Sequence, residues 1–584
     1  MSVPPLDLSR PFVLLDDARL DGAVPARLYR DPIETIATDD PARVAACLAA
    51  LRYATQNRLH AAGWIAYDAG IPGEPPSMPP TGAPLLWFGL FERFETIAPD
   101  ALPALLPDPA GAWAGAPHPS IDQAAYLAAF ARIKAYIAAG DIYQANLTFQ
   151  ATVPIVGDRL ALYARIRRQA AAGWGGIVHD GLRSLLSFSP EMFFRLDGGR
   201  IAARPMKGTE PRRAYAQADA EAARALADDP KQRAENLMIV DLIRNDLSQV
   251  AVPGSVAVPA LFTVESYPTI HQLTSTVTAA LAPGRDALSL LEAAFPCGSI
   301  TGAPKRRAMA IAAEVETGPR GVYTGAIGRI DADGDAAFNV AIRTLVIEEE
   351  GVASIGLGSG IVADSLGAAE WRECLAKGAF VTAACPRVDL IETMPFDPLE
   401  GMVDLDRHLA RMKRSADALG FAFDRHDVRN ELQAATFRLR DPSRVRLRLS
   451  ATGRVAIEVR PAPVAPTAPV LVPIVPLPVA SSDFRLCHKT SDRGFYDAAR
   501  GDAFEVVFAR PDGLLTEGSF TSLFVEQDGR LVTPPLCYGL LPGILRERLI
   551  ESGEAVERDL VEADLRDGFL LGNALRGLIR ARLP

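Results

Sequence analysis

The chain has 584 residues, of which 49% are apolar and 23% charged, and a formal net charge of −10. That length exceeds what one core serves and calls for several domains. The acidic balance, with no basic run and no interleaving of aromatic and basic residues, excludes nucleic acid as an expected partner, and no uninterrupted apolar stretch is long enough to span a bilayer. The opening Met1-Ser2-Val3-Pro4-Pro5-Leu6-Asp7 has no basic-then-apolar signal. The six cysteines (Cys47, Cys297, Cys374, Cys385, Cys487, Cys537) include no C-x-x-C pair. The expectation is a cytoplasmic protein with reduced thiols and no zinc site.

Taken in chain order, residues 1–115 mix strand-like runs, such as Gly63–Tyr67 and Leu85–Phe91, with Pro and Gly breaks. A helix follows. Ser120-Ile121-Asp122-Gln123 reads as its capping box, Tyr126, Phe130, Ile133 and Ile137 share one face, and Gly140 stops it. Residues Gly140–Thr148 lead into a strand. Ser184–Leu196 reads as strand, break and strand, with Glu191 after Pro190 at the break and a turn at Asp197-Gly198. A helix is predicted over 231–248, carrying Glu235, Asp241 and Asp246, and a second acidic helix holds Glu370-Trp371-Arg372-Glu373. Cys385-Pro386-Arg387 reads as a junction. Residues 388–584 then form another unit, divided near Pro461–Pro478, where the prolines predict an extended linker or a strand edge. No internal repeat is visible.

Lys207 stands in Pro205-Met206-Lys207-Gly208-Thr209, where proline and glycine fix the backbone on either side. On position alone most lysines are solvated surface charges. A held, partly desolvated lysine instead loses some preference for its charged form and can act as a nucleophile. The i, i+3 spacing puts Glu370 and Glu373 on one helix face, and carboxylates from two helices can share a magnesium ion. Each acid taken alone is more often solvated or salt-bridged. Two glycine-rich segments fail as phosphate loops. Gly298–Lys305 lacks Walker A spacing and Gly356–Gly360 is not G-x-G-x-x-G, although both can approach an anion through backbone amides.

Together the ordered strings Gly140–Asn146, Ser189-Pro190-Glu191, Pro205–Thr209, Glu235–Leu242, Gly298–Lys305, Tyr323–Gly328, Phe338–Thr344 and Glu370–Glu373 resemble the chorismate-utilising enzymes, the group of anthranilate, isochorismate and aminodeoxychorismate synthases. The resemblance spans about 115–385. Lysine in the Pro-x-Lys-Gly-Thr turn resembles component I of aminodeoxychorismate synthase, where anthranilate synthases carry alanine. Met206 and Glu210 depart from the commoner isoleucine and arginine. The resemblance implies that Lys207 adds to the chorismate ring and that Glu191 is the general acid/base. It implies magnesium held by Glu235, Glu370 and Glu373, and a substrate cradle of Thr301, Tyr323, Arg343, Gly358 and Gly360. His271 matches a family active-site histidine, and a buried structural histidine is the other reading.

Further on, His488-Lys489-Thr490, Leu515-Thr516-Glu517-Gly518 and Leu541-Pro542-Gly543-Ile544-Leu545-Arg546 supply a lysine, an acid after a strand and a phosphate-binding helix start, the parts a pyridoxal phosphate enzyme needs. Over about 388–584 these strings resemble the class IV pyridoxal phosphate enzymes: branched-chain and D-amino-acid aminotransferases and aminodeoxychorismate lyase. The resemblance implies that Lys489 bonds the cofactor and carries protons, and that Glu517 pairs with its ring nitrogen. It implies that Arg411 and the amides of Ile544 and Leu545 bind its phosphate, and that Tyr496 contacts it. Free-standing members begin with a strand and an Asp-Arg-Gly segment that this chain lacks, and Ser522 stands where asparagine is frequent.

The expected fold is multidomain, α+β and α/β: an anthranilate-synthase-like two-sheet β-sandwich with helices, then a D-amino-acid-aminotransferase-like (fold type IV) module. The expected domains are 1–115, 116–386 and 387–584. The combined resemblance implies a bifunctional enzyme converting chorismate to 4-amino-4-deoxychorismate and then, with loss of pyruvate, to 4-aminobenzoate for folate synthesis. Its cofactors would be magnesium and pyridoxal 5′-phosphate. No Cys-His-Glu glutaminase module is apparent, so a separate glutamine amidotransferase subunit is expected to supply ammonia. Dimerisation through the C-terminal module is also expected. The alternatives are an aminotransferase C-terminal module, a first module that makes anthranilate, and a non-catalytic metabolite-binding protein.

Overall fold

The structure, a computed structural model, describes residues 4–70, 84–267 and 270–584. Met1–Val3 of the opening stretch and Pro268-Thr269 ahead of His271 lie outside the described residues. The chain forms two compact units: 1–106 with 116–153 and 163–384, and 107–115 with 154–162 and 385–584.

In the first unit, apolar and β-branched runs build two large, mainly antiparallel sheets. One places Gln144–Gly157, Val352–Ile361, Thr344–Glu349, Ser184–Ser189, Trp174–His179 and Phe12–Asp16 side by side. The other orders Met206–Pro211, Ile270–Ala280, Arg200–Arg204, Met192–Asp197, Ala336–Val340, Ala326–Ile330 and His60–Ile65. Strands from the first hundred residues extend both sheets at one edge, so 1–106 shares its sheets with the rest of this unit. Strands Ser184–Ser189 and Met192–Asp197 belong to different sheets. The break at Pro190-Glu191 is therefore where the chain passes from one sheet to the other; proline has no amide to give a ladder. The helices Pro230–Ser248 and Ala287–Ala294 bury Ile239, Ile243, Leu290 and Leu291 against Phe193, Phe194 and Phe338.

The helix Gln123–Ala138 forms as its periodicity predicts, but its cap differs. Asp122, not Ser120, accepts from the Ala125 amide, while the Ser120 amide donates to the Gln150 carbonyl. A carboxylate one residue from the first turn outcompetes a serine spent on the neighbouring strand. Gly140, at φ +82°, terminates the element as expected.

In the second unit, Gly401–Met402, Leu390–Asp397, Ser443–Leu449 and Val455–Pro461 form one sheet. Met394, Val445 and Leu447 pack there against Leu409 and Met412 of the helix Leu405–Leu419. A second sheet orders Gly577–Arg582, Phe569–Asn573, Ser522–Gln527, Arg530–Thr533 and Ala555–Glu557. The proline-rich segment near 461–478 is extended and lends two short parallel strands, Val470–Leu471 and Ile474–Pro476. Among the described residues no helix is long and apolar enough to cross a membrane.

Candidate active sites

In the first unit the crossover between sheets buries Glu191. Its amide donates to Ser189 Oγ (3.2 Å), and its Oε1 accepts from Ser299 Oγ (2.8 Å). Burial pushes the carboxyl up to about 6, against the Ser299 bond and the Lys207 charge. A carboxyl so placed exchanges a proton near neutrality.

Lys207 lies on the strand Met206–Pro211, whose register against Ile270–Ala280 is irregular between Met206 and Thr209. Gly208, at φ +84°, permits that irregularity. Burial lowers the amine's pKa, and Lys377 adds to this, while Glu191, Glu235 and Glu373 oppose it. A side-chain carbon added at Gly360 would meet Gln144 Nε2 at 2.8 Å, Asn146 Oδ1 at 3.2 Å and Lys207 Nζ at 3.5 Å. The bare Gly360 backbone thus leaves room in which one amine and two amides converge. Gln144 Nε2 donates to Asn146 Oδ1 (3.2 Å), and its buried Oε1 has no partner among the described residues. Residues i and i+2 of a strand share a face. That was the available signal for Gln144 and Asn146, neither of which the sequence reading named as a site residue.

The rest of the expected cradle divides. Arg343 sits at φ +50°, burial lowers its pKa, and its side chain has no ion pair among the described residues. Tyr323 packs its ring against Gly356, and Gly358 lies against the Leu147 carbonyl, where a side chain would clash. Thr301 spends its hydroxyl on the Cys297 carbonyl (2.8 Å), so it shapes the wall rather than offering a donor. His271 departs from the catalytic expectation. Its Nε2 meets Asp219 Oδ1 (2.9 Å), its Nδ1 meets Ser266 Oγ (2.9 Å), and the residue is 2% exposed. Both nitrogens are already spent.

The expected magnesium ligands lie near one another. Glu235 faces Glu370 and Glu373 across two helices, and burial and these neighbours raise its pKa against Lys207 and Lys231. Glu373, however, is ion-paired to Lys377 (2.8 Å). Among the described residues no three acids, histidines or cysteines converge as a metal site. The donors are of the oxygen type magnesium takes.

In the second unit a cavity of about 390 Å³ is lined by Lys489, Arg411, Glu517, Ile544 and Leu545. Five further arginines (Arg444, Arg446, Arg493, Arg500 and Arg576) line it too, against the acids Asp497 and Glu517. The Lys489 carbonyl accepts from the Ile391 amide (2.8 Å), which anchors the lysine to the first sheet of this unit. Burial lowers the Lys489 amine to about 7, helped by Arg411, Arg493 and Arg446 and opposed by Glu392. Burial pushes Glu517 up to about 7, against the Leu541 amide, Arg493 and the Tyr496 hydroxyl. Arg411 Nε and Nη2 donate to Glu392 (2.8 and 2.6 Å), and Nη1 donates to the Pro542 carbonyl (2.9 Å). Gly543 begins the helix Ile544–Glu551 without a side-chain cap, so the first amides open toward the cavity. Gly543 lies so close to Ser522 Oγ that a side-chain carbon would meet it at 2.7 Å.

Tyr496 differs from expectation. It is not among the cavity-lining residues; it is buried behind Glu517, to whose Oε1 it donates (3.4 Å). The sequence reading missed two buried acids. Glu392 locks Arg411, and Glu505 gathers the Ser519 and Phe520 amides and the Ser519 and Thr521 hydroxyls. Each is a lone acid within an apolar strand-like run, a signal of a charge satisfied inside.

Residues 10–383 match the chorismate binding enzyme family, and residues 389–583 match amino-transferase class IV. Aminodeoxychorismate synthase component 1 of Salmonella typhimurium is 46% identical over 250 residues, 42% of this chain and 54% of that protein. Anthranilate synthase component 1 of Streptomyces coelicolor is 40% identical over 273 residues, 46% of this chain and 53% of that protein. The chain thus spans about half the length of these curated relatives. The crystal structure of anthranilate synthase component I from Streptococcus pneumoniae TIGR4 superposes with a TM-score of 0.52 and 25% identity, covering 62% of this chain and 92% of that one. With its family model matching well over half of the residues, and with a class IV amino-transferase region following it, this chain belongs to the chorismate binding enzyme family.

Proposed function

We propose that this chain makes 4-aminobenzoate from chorismate in two steps, amination in the first unit and loss of pyruvate in the second. The observation that carries the reading is the occurrence, in one chain, of two partly desolvated amines with different company. Lys207 sits beside a protonatable acid and two amides, and Lys489 sits in an arginine-lined cavity beside Glu517.

In the first step the Lys207 amine forms a carbon–nitrogen bond to the chorismate ring as the bond to the 4-hydroxyl breaks. Glu191 gives that hydroxyl the proton with which it leaves as water. Ammonia then bonds to C4 and the bond to Lys207 breaks, which frees the amine. Arg343 takes a substrate carboxylate. Glu235, Glu370 and Glu373 would hold a magnesium ion, which would offset the charge of the other substrate carboxylate.

Pyridoxal 5′-phosphate suits the second cavity. An uncapped helix start and Arg411 offer phosphate donors, and Glu517 is a buried acid with no cation bonded to it among the described residues. When bound, the group supplies an electron sink. Lys489 Nζ would hold it, Glu517 would meet its ring nitrogen, and Arg411 with the Ile544 and Leu545 amides would take its phosphate. Lys489, titrating near 7, removes the C4 proton of the aminated intermediate, and the side chain leaves as pyruvate. The surplus of arginines suits a substrate with two carboxylates, which favours the lyase over an aminotransferase acting on a monocarboxylate.

A separate glutamine amidotransferase subunit supplying ammonia, and a homodimer built through residues 387–584, complete the proposal. The test is the purified protein with chorismate, ammonium, magnesium and pyridoxal phosphate. 4-Aminobenzoate and pyruvate are expected in equal amounts. Anthranilate in their place, or a keto acid with no pyruvate, rejects the reading.

A further inference from the structure

We propose that His408 is a phosphate-positioning residue of the second cavity, its Nε2 donating to the group that Arg411 and the first amides of the helix Ile544–Glu551 also bind. The proposal rests on the pyridoxal phosphate reading above. His408 and Arg411 lie three residues apart on the helix Leu405–Leu419, hence on the same side of it, and both line the cavity. The two share one carboxylate: Glu392 Oε2 meets His408 Nδ1 at 2.6 Å and Arg411 Nη2 at 2.6 Å, while Oε1 takes Arg411 Nε at 2.8 Å.

Burial works against a charge on Glu392, but Arg411 and His408 outweigh it and hold the carboxyl well below its usual range, so it is ionised and only accepts. It therefore fixes the proton of the His408 ring on Nδ1. The other nitrogen, Nε2, belongs to a ring that lines the cavity. His408 is 1% exposed, and its Nε2 is buried with no hydrogen-bond partner among the described residues. A buried polar atom left unpaired is destabilising. A hydrogen bond from an Nε2–H, as a charge-assisted donor, to an anion in the cavity removes that cost.

The surroundings select phosphate. Arg411 has Nε and Nη2 committed to Glu392 and Nη1 to the Pro542 carbonyl, so its remaining N–H groups alone are few for a dianion. Pro542 directly precedes Gly543, which begins the uncapped helix. Arg411, the helix start and His408 thus border one cavity and are joined by a single relay of bonds.

The experiment compares binding of pyridoxal 5′-phosphate and of pyridoxal, which lacks the phosphate, to the full chain by equilibrium dialysis. His408→Asn keeps a donor where Nδ1 stands and deletes Nε2. His408→Gln carries an amide to the Nε2 position. The expected result is that His408→Asn weakens pyridoxal phosphate binding about tenfold or more and leaves pyridoxal binding unchanged. His408→Gln should recover part of the loss, and the ³¹P resonance of the bound phosphate should move in His408→Asn. An equal loss for both ligands marks His408 as a frame residue and overturns the proposal, as does no loss for either. If the unaltered chain retains neither ligand, the cofactor reading itself falls, and this proposal with it.

Discussion

Lys207 is surrounded by acids and Lys489 by arginines, although burial depresses the pKa of both amines. Around Lys207 the charges of Glu191, Glu235 and Glu373 work against desolvation, and the pocket as a whole balances positive charge. Around Lys489 the charges of Arg411, Arg493 and Arg446 work with desolvation, and the amine falls to about 7. One surrounding suits a nucleophile whose leaving group must be protonated by a neighbour. The other suits a base that must be neutral when an anionic substrate arrives. The same residue type is tuned by the sign of what lines its wall.

The sharpest way to break this division is to delete each amine in turn. Lys489→Ala should stop 4-aminobenzoate formation, on the order of 10³-fold or more, while chorismate is still aminated. Lys207→Ala should stop amination by a similar factor, yet leave conversion of supplied 4-amino-4-deoxychorismate unchanged. Product analysis of both variants decides the matter. Loss of both activities in either variant would show that the two units do not work separately.

Glu191→Gln tests the acid beside Lys207. Amination should fall about 10²–10⁴-fold. The pH dependence carries a sign. The acid must hold its proton, so kcat/KM of amination should decline as pH rises through about 6, and that decline should vanish in the variant. A decline that persists in Glu191→Gln assigns the proton to another group.

Glu517 sharpens the comparison from the side of stability. Its folded pKa, about 7, lies above the ordinary 4.5. The folded state therefore holds the proton more tightly than the unfolded chain. The stabilisation from that proton is complete below about 4.5 and is lost as pH rises through about 7. The loss is on the order of 3 kcal/mol. Lys489 has the opposite sign: its lowered pKa makes stability rise with pH between about 7 and 10.5. In cofactor-free protein, Glu517→Gln should abolish the loss between about 4.5 and 7 and bind pyridoxal phosphate more weakly. Thermal denaturation across that range checks it. A variant that parallels the unaltered chain at every pH would contradict the assignment.

Lys207 drew notice in the sequence because proline and glycine fix the backbone on either side of it, whereas Lys489 was placed by likeness of motif. The strand–break–strand reading of Ser184–Leu196 was likewise local, and the structure adds only that the two halves lie in different sheets. What escaped was long-range pairing. Asp219 stands 52 positions from His271, and nothing around either residue announces their bond. Glu392 meets Arg411 19 positions away, across a strand and a helix. Glu373 satisfies Lys377 within its own helix, a competitor for magnesium that i, i+4 spacing could have shown. Tyr496 was placed by likeness of motif, whereas its ring packs near Phe495 and Phe508 (centroids 4.2 and 5.4 Å away) behind Glu517.

His271 supplies the smallest expected effect on chemistry, and it sets the boundary of the acid-lined site. Asp219 holds its Nε2 and Ser266 its Nδ1, and Asp219 is itself bonded by Arg212 Nε at 2.8 Å and by the Arg213 amide at 2.8 Å. A ring fastened at both nitrogens transfers no proton to a substrate without first breaking a bond that frames the strand Ile270–Ala280. His271→Asn should therefore lower the melting temperature of the first unit, by an amount matching about 1–3 kcal/mol for the partners left unpaired. It should leave the pH profile of amination in place, with its decline near pH 6 intact. The pH profile separates the two roles where a rate alone would not. A histidine that exchanges protons with chorismate would take one limb of the profile with it, and that outcome would return His271 to the company of Glu191 and Lys207.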